Sequence, residues 1–134
     1  QNRIRLTTMS LLWDIVEVKR FEQMVRIHDS ARKEIRDWPI EVKKDLGSVL
    51  ARLQLGESVG MPDVRRMPSV ARGAAEIRIK DSSGIYRAFF VIETDLGILV
   101  FHGFKKKTQT TPQIEIETGR KRLKDFLEEL KNEK

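Results

Sequence analysis

Ala74-Ala75-Glu76-Ile77-Arg78-Ile79-Lys80-Asp81-Ser82-Ser83-Gly84-Ile85-Tyr86-Arg87-Ala88-Phe89-Phe90-Val91-Ile92-Glu93 reads as two strands joined by a turn. Ile77 and Ile79 alternate with Glu76, Arg78 and Lys80, the period of two that a pleated strand imposes. Asp81-Ser82-Ser83-Gly84 has the composition of a hairpin turn. In the second strand Tyr86, Ala88, Phe90 and Ile92 share one face, and Ile85, Arg87, Phe89 and Val91 share the other. Thr94-Asp95-Leu96-Gly97 turns the chain again. Ile98 to Phe104 then forms a third strand, so apolar that both of its faces should be covered. Such short links favour an antiparallel meander.

Working outward, Trp13 to Val18 alternates as a strand, whereas Val25 to His28 is ambiguous. Asp29 or Ser30 can cap a short helix running to Trp38. Pro39 sits where a new helix begins. In that second helix Val42, Leu46, Val49, Leu50 and Leu53 fall on one face, and Gly56 is a stop signal. Glu57 to Gly73 is rich in Gly, Pro and Ser and reads as a loop with a brief extended piece. Thr110 with Gln113 makes a capping box for a final helix; Thr111 with Pro112 in the first turn is the competing frame. Ile116, Leu123, Phe126, Leu127 and Leu130 form its apolar stripe. The fold class expected is α+β: an N-terminal strand and a helical hairpin packed on an antiparallel sheet, with a C-terminal helix.

The 134 residues suit one domain, taken as 13–134, with 1–12 an N-terminal extension and Met9 a possible natural start. No apolar run reaches the roughly 20 residues that span a bilayer, so no membrane association is expected and the expected location is cytoplasmic. There is no cysteine, which removes thiol chemistry and cysteine-ligated metals. The two histidines, His28 and His102, lie far apart in sequence, so neither metal nor cofactor is implied.

The net charge of +6 is concentrated. Between Arg65 and Gln109 nine Lys and Arg face four acids. Such a surplus suits a polyanion partner, although a solvated lysine-rich surface has the same composition. Arg78 and Lys80 share a strand face, Arg87 lies on the next strand, and Lys105, Lys106 and Lys107 follow the last. Pairing in order would let them converge on a phosphate, to which guanidinium groups bind in a fork. Arg78 and Arg87 could instead pair with Glu76 or Glu93 across the sheet. His102 alternates with Val100 and Phe104 and reads either as a satisfied structural histidine or as a general base. Phe104 is either core or a platform for an unstacked base. Trp13 and Trp38 read as core. Glu115 and Glu117 suit the positive end of the final helix.

The hairpin resembles the central hairpin of RelE-type toxins. Phe101-His102-Gly103-Phe104-Lys105-Lys106-Lys107-Thr108-Gln109-Thr110-Thr111-Pro112 resembles the hallmark of the phage-derived HigB-like branch of the RelE/ParE superfamily. The resemblance implies a type II toxin of a toxin–antitoxin system, a metal-independent, ribosome-dependent mRNA endoribonuclease that blocks translation. Its implied partners are the ribosome, mRNA and a cognate helix-turn-helix, HigA-like antitoxin. The family's active arginine falls on Arg87, its upstream basic strand positions on Arg78 and Lys80, and its basic cluster on Lys105, Lys106 and Lys107; taken with the residue reading above, catalytic roles are expected of Arg87, Arg78, Lys107, Lys105 and His102, and RNA binding of Lys80, Lys106, Phe104, Gln109, Arg65 and Arg66. The sequence departs from RelE in having no tyrosine after Tyr86, so a histidine or lysine would have to move the proton. The alternatives are a ParE-like poison of DNA gyrase and a phage-remnant protein that binds nucleic acid without cutting it.

Overall fold

A computed structural model describes residues 23–108 and 110–133. The expected Trp13–Val18 strand, Trp13 as core and the expected 1–12 extension lie outside them. The meander is formed by β3 (Ala75–Asp81), β4 (Gly84–Glu93) and β5 (Gly97–Lys106), antiparallel as expected. Ser82 and Ser83 alone close the first hairpin, because Asp81 Oδ1 accepts bonds from the Ser83 N–H (2.8 Å) and hydroxyl (2.7 Å).

The ambiguous Val25–His28 stretch and the brief extended piece expected within Glu57–Gly73 both form edge strands. β1 (Val25–Ile27) runs parallel to β5, so the sheet is mixed rather than wholly antiparallel. β2 (Val64–Arg66), inside the expected loop, pairs antiparallel with β3. The order is β1-β5-β4-β3-β2. Gly97, at φ 99°, lets β1 approach: a Cβ there would strike the Met24 carbonyl.

The helices are α1 (Asp29–Arg36), α2 (Ile40–Gln54) and α3 (Gln113–Asn132). Their caps differ from the sequence reading. His28, not Asp29 or Ser30, caps α1, its Nδ1 accepting the Ser30 N–H at 3.1 Å. Pro39 and Pro112 stand one residue before their helices, so neither frame expected for the final helix is adopted. Gly56, at φ 84°, does end α2: its N–H bonds to Leu53 and that of Glu57 to Arg52, a Schellman closure.

The sheet is covered on both faces, which explains the apolar β5. On one face Trp38, Val42, Leu46, Leu50 and their neighbours meet Ile77, Ile79, Tyr86, Ala88, Phe90, Ile98 and Val100. On the other, Ile116, Leu123, Phe126 and Leu130 of α3 meet Phe89, Val91, Leu99, Phe101 and Phe104. One residue breaks the alternation. Phe89 pairs with His102 but Phe90 with Val100, so Phe101 is an extra residue in β5. After this bulge His102, Phe104 and Lys106 point toward α3, whereas Val100 points to the helical hairpin.

Candidate nucleic-acid interface

On the α3 side, near the β3–β4 turn, the meander lines up cations. Arg78 of β3 pairs in register with Arg87 of β4, and Arg65 of β2 with Glu76 of β3. Like charges directly opposite repel, and Glu76 lies between them. Its carboxylate is fully buried, with Oε1 3.6 Å from Arg87 Nε and Oε2 4.0 Å from Arg78 Nε. The Thr111 hydroxyl donates to Oε1 at 3.4 Å, and Lys106 Nζ donates to the same hydroxyl at 3.4 Å. Arg87 also donates to the Tyr86 carbonyl at 3.0 Å. Glu76 Oε2, Arg78 Nε and Arg87 Nε are buried without hydrogen-bond partners among the described residues.

Four cations thus surround one acid. Burial lowers the affinity of Arg87 for its proton; Glu76 opposes that, and Arg78 and Arg65 add to it. Burial likewise pulls Lys106 below the usual lysine range, followed by the repulsion of Arg87, with Glu76 again opposing. In front of this group lies an open pocket of about 380 Å³, walled by Pro62, Asp63, Arg78, Lys80, Ile85 and Arg87. Asp63, one of its walls, pairs with Arg52 at 3.2 Å. The pocket therefore presents fixed guanidinium groups with incomplete internal partners, an arrangement suited to a phosphate.

The expected residues separate under this geometry. Arg65, Arg78, Lys80, Arg87 and Lys106 share the α3 side of the sheet. Arg66 points the other way and lines a groove with Leu53 and Phe90. The three lysines do not act as a block. Alternation puts Lys105 on the opposite face, its Nζ 5.7 Å from the centre of the Tyr86 ring, and Lys107 is exposed beyond the strand. This corrects the expectation that Lys105 joins Arg87. Gln109 lies outside the described residues.

His102 is buried, and both ring nitrogens are engaged: Nε2 with Glu115 at 2.7 Å, Nδ1 with Arg122 at 2.9 Å. Nδ1 also lies 3.4 Å from Glu34 Oε1, so two acids and an arginine enclose the ring. That occupation removes His102 as the proton carrier expected of it. Phe104 is buried against Phe89 and stacked on His102, so it offers no free face to a base. Arg122 also reaches Glu34 of α1 at 2.8 Å, and Glu34 accepts the Gly103 N–H. Burial would raise the Glu34 carboxyl, yet contacts with His102, Arg122 and the Gly103 N–H hold it at about 2. Sequence reasoning named Glu76 only as a pairing option for the arginines and Thr111 only as a helix cap, and did not single out Glu34 or Arg122. Glu76 had a legible signal, an acid alternating with Arg78 and Lys80; Glu34 and Arg122 had none.

The chain matches the family described as "Phage derived protein Gp49-like" over residues 33–124, which take in every strand except β1 and most of α3. It belongs to that family. No curated protein matches the chain. The Gp49-like chain is similar to the solved structure of an E. coli toxin RelE mutant in the free state, at 18% identity and a TM-score of 0.44, covering 77% of this chain and 96% of that one. It is also similar to the intact E. coli RelBE toxin–antitoxin complex, at 22% identity and a TM-score of 0.37, covering 64% of this chain and 99% of that one. The expectation of a phage-derived family is met. Among the described residues of this Gp49-like protein, no helix is long and apolar enough to cross a membrane.

Proposed function

We propose that this Gp49-like protein is the toxin of a type II toxin–antitoxin module, a cytoplasmic, ribosome-dependent mRNA endoribonuclease of the HigB-like kind. A cognate helix-turn-helix antitoxin neutralises it. The observation that carries the reading is the pocket in which Arg78 and Arg87 stand side by side with Lys80 at the mouth. The likeness of the hairpin and of Phe101 to Pro112 to RelE- and HigB-type toxins supports the same reading.

In this mechanism the scissile phosphate lies against Arg78 and Arg87. The 2′-oxygen attacks phosphorus, the bond to the 5′-oxygen breaks, and the products carry a 2′,3′-cyclic phosphate and a 5′-hydroxyl. The guanidinium groups meet the extra negative charge of the phosphorane, a contribution of about 10²–10³ in rate for each well-placed donor. The 2′-hydroxyl gives its proton to water as it attacks, and protonated Lys106 is assigned the donation to the leaving 5′-oxygen. Lys106 lies on the same face as Arg87, and its lowered proton affinity brings it nearer the operating pH.

The test is a primer-extension map of cellular mRNAs after brief induction without antitoxin. Translation-dependent cuts are expected from the native chain. Arg78→Ala, at a side chain with 19% exposure, should lose about 10²–10³ of that cleavage while keeping its melting temperature. Intact transcripts in cells that stop growing, above all with DNA breaks, would overturn the nuclease reading.

A further inference from the structure

We propose that Glu76 is a built-in counter-anion: it positions the Arg78 and Arg87 guanidinium groups and, when no nucleic acid is bound, stands in electrostatically for the phosphate. This inference rests on the reading of that face as a phosphate site.

The geometry separates Glu76 from an ordinary buried salt bridge. A carboxylate removed from water is tolerated when close, aligned hydrogen bonds replace its hydration. Glu76 is 0% exposed, yet its approaches to Arg87 and Arg78 are 3.6 and 4.0 Å, beyond good hydrogen-bond range. Among the described residues its Oε2 and the Nε atoms of both arginines have no hydrogen-bond partner. The Thr111 hydroxyl donates to it from 3.4 Å. The carboxylate therefore acts through charge more than through bonding. The charge is needed, because Arg78 and Arg87 are cross-strand neighbours, Arg65 lies opposite Glu76 itself, and Lys106 reaches Thr111.

Glu76 cannot be a catalytic base without rearrangement, since no solvent reaches it. It is a positioning residue. A phosphate entering the pocket meets the arginines from the open side while Glu76 holds them from behind. The price is weaker attraction for the incoming anion. Removing the negative charge should leave a face that binds anions more tightly and folds less well without them.

The experiment is thermal melting of the full chain against sodium sulfate, with sodium chloride at matched ionic strength as control, for the native chain, Glu76→Gln and Glu76→Gln/Arg87→Gln. Glu76→Gln should melt lower in dilute buffer. Sulfate should restore it with a half-maximal concentration about tenfold below that of the native chain, as expected when an opposing charge a few Å from the anion is removed. The double variant, with both charges gone, should recover the melting temperature in dilute buffer and lose the sulfate response. If Glu76→Gln does not fold in dilute buffer but the double variant does, the counter-anion role holds. If Glu76→Gln melts and responds to sulfate like the native chain, or if neither variant folds, the proposal is overturned, the last outcome showing that Glu76 is needed for its shape. Sulfate melting is independent of catalysis. Intact transcripts together with the expected sulfate pattern would remove the nuclease reading and leave the counter-anion, and the reverse pattern would do the opposite.

Discussion

Lys106 shows how one alternation step changes a residue. Lys105 and Lys107, its sequence neighbours, are exposed, while Lys106 is 4% exposed among Arg87, Arg78 and Glu76. Its proton affinity is lower folded than unfolded. Between the two pKa values the unfolded chain therefore binds more protons, and stability rises with pH through that window. Below that window the full cost of the buried ammonium remains. Lys106→Met, which keeps the stem and removes the charge, should thus raise the melting temperature at pH 7 by a few degrees and gain less as pH rises, while mRNA cleavage falls by about 10²-fold or more. Melting curves from pH 7 to 10 beside the cleavage map test both halves.

At the scale of elements, the polar cluster around His102 ties three of them together. Glu34 of α1 accepts from Gly103 of β5 and Arg122 of α3, while Glu115 of α3 accepts from His102. Gly103 permits the approach: a Cβ there would come within 2.8 Å of Ile35 Cγ1. The Glu34 carboxyl, held at about 2 against an ordinary 4.5, contributes stability that is complete above pH 4.5 and is lost as pH falls toward 2. Glu34→Gln should cost about 1–3 kcal/mol at pH 7, discounted for partial exposure, and should flatten the acid limb of stability between pH 5 and 2. An acid limb as steep as the native one in urea melts would refute the assignment. The bulge at Phe101 belongs to this scale too, since it turns His102 into reach of Glu115 and Arg122.

For the molecule as a whole, the surplus positive charge in Arg65–Gln109 is gathered mostly on one side of one sheet. Binding of a single-stranded RNA there should release counterions, at about 0.7 in the log–log salt slope for each phosphate neutralised. With Arg65, Arg78, Arg87 and Lys106 offset by Glu76, a slope of about −2 is expected, and Arg65→Ala should reduce it by about 0.7. Fluorescence anisotropy over a range of salt measures both; an unchanged slope in Arg65→Ala would place the RNA elsewhere.

Much of the fold was legible because it rests on period and composition. The three long strands, the two tight turns, the faces of β4, the apolar stripes of α2 and α3 and the Gly56 stop follow from local rules of side-chain direction and backbone freedom, which need no distant partner. So does the placing of Arg78 and Arg87 together, since strands joined by a two-residue loop have little choice of register. What only the tertiary structure decided depends on contacts between segments far apart in sequence. Three-residue edge strands carry too little pattern to be seen alone and exist because β5 and β3 offer them hydrogen bonds. A bulge leaves the composition of β5 unchanged but moves His102 and Phe104 from the helical-hairpin face to the α3 face, where Glu115, Arg122 and Phe89 enclose them. Glu76 marks the boundary between the two: its place in the alternation is written locally, but its burial among Arg65, Arg78, Arg87 and Lys106 comes from four strands and the segment before α3 closing around it.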